Sequence, residues 1–206
     1  MTLGSMPHDP SILTRRQLLL LLAATARLGA ADEDFWNTKP LSEWNAGDIY
    51  RVMNHSPWAN PVQWWRPLPS LRSPDERPHS QLGPKGVVTW ESAQPIRDAL
   101  KTPLPRVFAN FYVVGVDGIP SGSHSAGYLR RFAALRSNGK PKWSVGASVA
   151  RELIRNSAVY AFGFPKGATP IGPDTGDVVF EMELGQWMVQ TKFKPKDMLY
   201  HGELAL

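Results

Sequence analysis

Residues able to do chemistry are present but scattered. Beyond His8 near the start, the histidines His55, His79, His124 and His201 stand singly, with no pair at ligand spacing, and no Gly-x-Ser-x-Gly elbow supplies a nucleophile. His124 is the one to test as a general base, in the loop Ser121-Gly122-Ser123-His124-Ser125 beside a strand end. A surface-loop histidine is the plainer reading. Asp174-Thr175-Gly176-Asp177 could offer two carboxylates to a cation, but calcium wants six or more oxygens and a turn before a strand explains the residues better. Lys192, Lys194 and Lys196 alternate and would share a face if the strand continued, as a small anion or membrane-surface patch or as a solvated edge that discourages aggregation. No P-loop, dinucleotide fingerprint or His-Glu-x-x-His occurs. With no cysteine, thiolate metal sites and disulfides are excluded. The reading therefore carries no catalytic residue, no metal and no cofactor.

Tryptophan is the other chemistry-bearing type. Of eight, Trp36, Trp44, Trp58, Trp64 and Trp65 fall within thirty positions. An exposed indole offers a flat apolar face with one donor at its edge, suited to stacking on a sugar or a partner protein. The alternative is that the five fill a seam between N-terminal helices and a sheet. Adjacent Trp64 and Trp65 on a strand point to opposite faces, so at least one needs a second buried layer or an outside partner.

The elements that position these residues begin after a leader. Thr14-Arg15-Arg16-Gln17-Leu18-Leu19 resembles the core of the twin-arginine export signal, an apolar run follows to Ala26, and small residues Leu28 to Ala31 suit cleavage near Ala30 or Ala31. An ordinary secretory signal with adjacent arginines is the alternative. The run is too short to cross a bilayer. Residues 1–31 are thus expected to be a signal peptide and 32–206 a single domain, periplasmic or extracellular. The first 31 residues hold Arg15, Arg16, Arg27 and Asp9, so the formal surplus falls from +5 to +3 when they are removed. A surplus that small does not point to nucleic acid.

Within the domain, Ser42 or Asn45 can cap a helix bearing Ile49, Val52 and Met53 on one face. Strands are expected at 62–68 and 86–91, separated by a flexible proline-rich loop over 67–85. Ser92 can cap a short helix to Lys101. Arg106 to Val116 is the strongest strand signal and is placed in the middle of the sheet. Tyr128 to Arg136 and residues 141–157 read as helices, 158–164 as a strand, and 177–184 with 187–193 as a hairpin around Gly185-Gln186, with Phe180, Met182 and Leu184 facing the core. The tail from Met198 is expected to form a last short strand. These elements predict an α+β fold, an antiparallel or mixed β-sheet of five to seven strands with short helices on one face.

Three segments carry a resemblance: Phe35-Trp36…Lys39…Glu43-Trp44…Ser56-Pro57-Trp58-Ala59, then Trp90-Glu91-Ser92-Ala93-Gln94-Pro95-Ile96-Arg97, and Lys192-Phe193-Lys194-Pro195-Lys196-Asp197-Met198-Leu199-Tyr200-His201-Gly202-Glu203-Leu204. The pattern resembles a group of exported bacterial proteins with no assigned reaction. The opening segment is also faintly similar to that of exported proteins with a GWxTD domain, although no Gly-Trp-x-Thr-Asp occurs. The resemblance implies export and a single domain, and brings no catalytic residue across. The functional expectation is an exported, non-enzymatic binding or assembly module whose aromatic-rich surface holds a protein or glycan partner. The alternatives are a periplasmic hydrolase or cofactor-binding protein exported folded, and an accessory subunit of a membrane complex held by an uncleaved signal.

Overall fold

The computed structural model describes residues 34–67, 80–120, 125–137, 140–152, 158–167 and 170–206. The leader at 1–31, the proline-rich stretch 68–79, and His124 lie outside them. Four short α-helices are described: α1 (Phe35–Thr38), α2 (Ala46–Asn54), α3 (Gln94–Leu100) and α4 (Ala126–Leu129). The strands are β1 (Ala59–Pro67), β2 (Ser80–Trp90), β3 (Phe111–Val116), β4 (Ala133–Ser137), β5 (Lys140–Ser144), β6 (Ala147–Glu152), β7 (Ala158–Pro165), β8 (Val178–Leu184) and β9 (Trp187–Phe193), with a small closing hairpin β10 (Leu199–Tyr200) and β11 (Glu203–Leu204). The fold is a β-rich α+β fold.

Strands β1 to β9 form one sheet in the order β5-β4-β8-β9-β1-β2-β3-β7-β6, antiparallel at every pairing. Its two edges, β5 and β6, are consecutive in sequence and joined only by Val145 and Gly146. Two linking residues span about 10 Å at full extension, so a nine-stranded sheet must curl until its edges nearly meet. The Gly146 N–H donates to the Gly163 carbonyl at 2.8 Å, fixing the crossing.

The curl encloses a core from alternate positions: Trp64 on β1, Trp90 on β2, Val114 on β3, Phe162 and Phe164 on β7, Phe180 and Met182 on β8, Phe193 on β9. On the other face of β3 and β7, Val113 and Ala161 pack with Phe108 in a second cluster. Burial on both faces explains why β3 reads as a continuous apolar run.

Several elements differ from expectation. Arg106–Phe108 is a 3-10 turn, and the strand starts at Phe111; β3 is interior, between β2 and β7, but lies nearer one edge. The helix expected at 128–136 is four residues of α4, then β4, whose Ala133, Leu135 and Ser137 face inward opposite β8. The helix expected over 141–157 is replaced by strands β5 and β6 in the residues described. Of the expected 67–85 loop, 80–85 belong to β2, which begins at Ser80, and 68–79 lie outside the described residues. Ser92 does not cap α3; its Oγ accepts the Val113 N–H at 3.0 Å, and Ala93 stands at the N-cap. The β8–β9 hairpin turns at Gly185 as expected, and Asn45 caps α2 in a capping box with Asp48.

Candidate functional site

Four of the five clustered tryptophans point into the molecule. Trp36 is 4% exposed, Trp44 8%, and Trp58 and Trp64 0%. Phe35 packs edge-on against Trp36 at 5.3 Å and Trp44 at 5.5 Å, and Trp36 meets Trp58 at 5.5 Å. The Trp44 indole donates to the Lys39 carbonyl at 3.1 Å and the Trp58 indole to the Ala205 carbonyl at 2.8 Å. The seam is thus a tie between the start of the domain, the sheet and the C-terminal tail. Trp36, Trp44 and Trp58 are used in that packing, and Trp64 is buried in the core enclosed by the sheet.

Trp65 is half-buried and registers opposite Leu82 on β2 and Met188 on β9, with Leu82 62% exposed. Nearby Trp187 lies against the backbone of Gly83, and the Arg66 guanidinium sits 5.2 Å from its ring centroid. These two contacts limit how far that ring could stack on a ligand.

An open concavity of about 400 Å³ lies beside the seam, lined by Asp34, Trp36, Arg51 and His55; a more enclosed one lies elsewhere. A half-open pocket of about 200 Å³ is walled by Ile49, Met53 and Asn54 of α2, Ala99 and Leu100 of α3, Val87 and Thr89 of β2, Gly115 of β3 and Val159 of β7, with Glu91 and Asp117 at the strand ends. Alternation along β2 places Val87, Thr89 and Glu91 on one face, and Thr89 registers with Gly115. The lining is mainly apolar, yet Glu91 is only 3% exposed.

Two glycines make room for the carboxylates. A Cβ on Gly115 would stand 2.7 Å from Glu91 Cδ, and a Cβ on Gly86 would stand 2.6 Å from Asp117 Oδ1. Real Cβ atoms do not approach that closely, so each carboxylate lies where the neighbouring strand lacks a side chain. Asp117 Oδ1 accepts the Val87 N–H, and Asn54 Nδ2 donates to the Tyr50 carbonyl at 2.8 Å. The pocket is therefore an apolar slot with fixed polar groups at its rim, the arrangement that orients a small ligand.

Sequence reasoning did not single out this pocket. Its signals were a glycine inside the strongest strand, Gly115, and a carboxylate, Glu91, directly after the fully buried Trp90.

The remaining candidates stand apart. His55 is exposed after α2 with its ring 5.9 Å from Tyr50, and His201 is exposed with its ring 4.1 Å from Tyr200. Asp174 lies in a 3-10 turn. Asp177 binds Lys192 at 2.9 Å; the hydrogen bond from Lys192 outweighs its slight desolvation and, with the charges of Lys192, Lys194 and Lys196, holds its carboxyl below the usual range. Lys196 falls in a 3-10 turn beyond β9, so the three lysines do not form one strand face. Among the described residues, no three His, Asp or Glu are placed to hold a metal ion, and no helix is long and apolar enough to cross a membrane.

No protein-family model, curated protein or solved structure matches the chain. The reading of its function rests on its own geometry.

Proposed function

We propose that this chain is an exported, non-enzymatic binding module that holds a small, largely apolar ligand in the pocket between α2, α3 and the β2–β3 strands. The observation that carries the reading is the pocket itself, about 200 Å³ of mainly apolar space with a buried carboxylate at its wall. Such a slot would take a compact group of aromatic or branched aliphatic size, with a donor-bearing end toward Thr89, Glu91 and Asp117. Asp117 is engaged with the Val87 N–H and Asn54 with a carbonyl of its own helix, which supports a positioning role for them and not proton transfer. A protein or glycan partner would meet the outer surface near Trp65. The burial of the other four indoles supports the pocket over the indole faces as the holding site.

Export is supported by the leader at Thr14 to Ala31. Mass spectrometry of protein from its native cells tests both parts together. The expected spectrum shows a mature N-terminus near residue 31 or 32 and a non-covalent small-molecule adduct under native conditions. An unprocessed chain in the cytosol would overturn the export reading. An adduct that persists when the pocket is filled by Ala99→Leu would overturn the pocket.

A further inference from the structure

The polar groups that wall the pocket between α2 and α3 are mostly acceptors. Glu91 and Asp117 bring carboxylates, and among the described residues no Lys, Arg or His lines the space. Both acids are engaged within the chain as well, yet a carboxylate has about four lone-pair sites and can take a further donor. Asn54, 8% exposed, sends Nδ2 back to the Tyr50 carbonyl at 2.8 Å, while its side-chain oxygen accepts from no described residue.

Thr89 points more directly to a ligand. It registers between Ala59 on β1 and Gly115 on β3, so its neighbours across the sheet are a methyl group and no side chain at all. Thr89 is only 8% exposed, and its hydroxyl makes no hydrogen bond among the described residues. A buried hydroxyl without a partner is unfavourable, and this one lies at the pocket wall between Val87 and Glu91. The facing residues Ile49, Met53, Ala99 and Leu100 are apolar, and the space of about 200 Å³ exceeds the roughly 150 Å³ cavity that takes a benzene ring.

A ligand end made only of acceptors would meet carboxylates here, and an alcohol offers a single donor. An ammonium offers three donors and a positive charge, and hydrogen bonds from an ionised donor are the stronger kind. We propose that the pocket takes a small protonated amine, its ammonium toward Thr89, Glu91 and Asp117 and its compact apolar body held by α2 and α3. This inference rests on the pocket reading above and adds the chemical class of the ligand.

The test is a calorimetric titration of the full chain, near neutral pH and at constant ionic strength, with 2-phenylethylamine, 2-phenylethanol and phenylacetate, which share a ring and a short arm. The amine should bind about tenfold more tightly than the alcohol, with phenylacetate weakest. Ala99→Leu should weaken the amine and the alcohol alike. Glu91→Gln should narrow the gap between them to about threefold or less, and Thr89→Val should weaken the amine about threefold. An amine that binds no more tightly than the alcohol or phenylacetate, with binding still lost in Ala99→Leu, overturns the amine reading and leaves the pocket standing. If none of the three binds, or if binding is unchanged in Ala99→Leu, the pocket reading fails and this inference with it. An amine preference that survives both Glu91→Gln and Thr89→Val also overturns it. The three-ligand comparison needs no variant, so it decides the matter even if Glu91→Gln fails to fold.

Discussion

The Glu91 carboxylate lies over the α-carbon of Gly115 on the neighbouring strand, in space that any other residue would fill. Gly115→Ala should therefore destabilise the fold by about 1–3 kcal/mol, since overpacking a tight site forces a shift of side chain or backbone. Denaturant unfolding of the two single variants and the double variant with Glu91→Ala checks the cause. If the overlap is with Glu91, the cost of Gly115→Ala shrinks in the Glu91→Ala background; additive costs would place the strain elsewhere.

The tail contributes a second test. The Tyr200 hydroxyl donates to Asp98, and burial first, then that hydrogen bond and the Asp98 charge, push its ionisation up to about 12 from an ordinary 10.0. A group whose folded pKa is raised favours the folded state while protonated, so this contribution is present below pH 10 and is lost as pH rises toward about 12. Comparing the pH dependence of stability in the natural chain and Tyr200→Phe isolates it from lysine titration. The stability difference between the two should shrink across that window, and a constant difference would contradict the assignment.

The Trp58 indole and the Ala205 carbonyl make a similar tie. Deleting Ala205 and Leu206 leaves a fully buried N–H without its acceptor, at a cost of about 1–3 kcal/mol. Trp58→Phe in the truncated chain should recover part of that loss, as judged by thermal or denaturant unfolding. No recovery would mean that the tail acts through apolar packing alone.

At the start of α2, Asn45 accepts from the backbone of Gly47 and Asp48, and Asp48 accepts from the Asn45 N–H and from Lys39 Nζ at 2.5 Å. Asn45→Ala should cost about 1 kcal/mol in unfolding experiments. Burial pushes the Asp48 carboxyl up, but the bonds from Lys39 and Asn45 and the charges of Lys39 and Arg51 together bring it below 3.8. Its contribution is present above pH 3.8 and lost as pH falls through the depressed value. The stability gap between the natural chain and Asp48→Asn should close only at strongly acid pH.

Local pattern was enough where one residue or one hairpin decided the structure. Phe180, Met182 and Leu184 alternate inward around Gly185, and Asn45 caps its helix through its own side chain. It failed where two periods fitted the same residues. Leu129, Phe132 and Leu135 match helical spacing, but Ala133, Leu135 and Ser137 also alternate, and pairing with β8, more than forty residues away, selects the strand. Val145 and Val149 misled for a related reason, because Gly146 marks where the chain crosses from one sheet edge to the other. The pocket was illegible because its wall comes from separate stretches near 49–54, 87–91, 99–100 and 115–117, plus Val159. The tryptophan cluster was visible, but whether indoles face in or out depends on the sheet they cover.

The most direct test of the central claim is a fluorescence titration with a neutral naphthylamine probe on the natural chain, Ala99→Leu and Trp65→Ala. Saturable binding is expected, lost or weakened about tenfold when the leucine fills the α3 side of the pocket and retained in Trp65→Ala. Binding that survives Ala99→Leu and disappears with Trp65→Ala would contradict the account and return the holding surface to the aromatic face of β1.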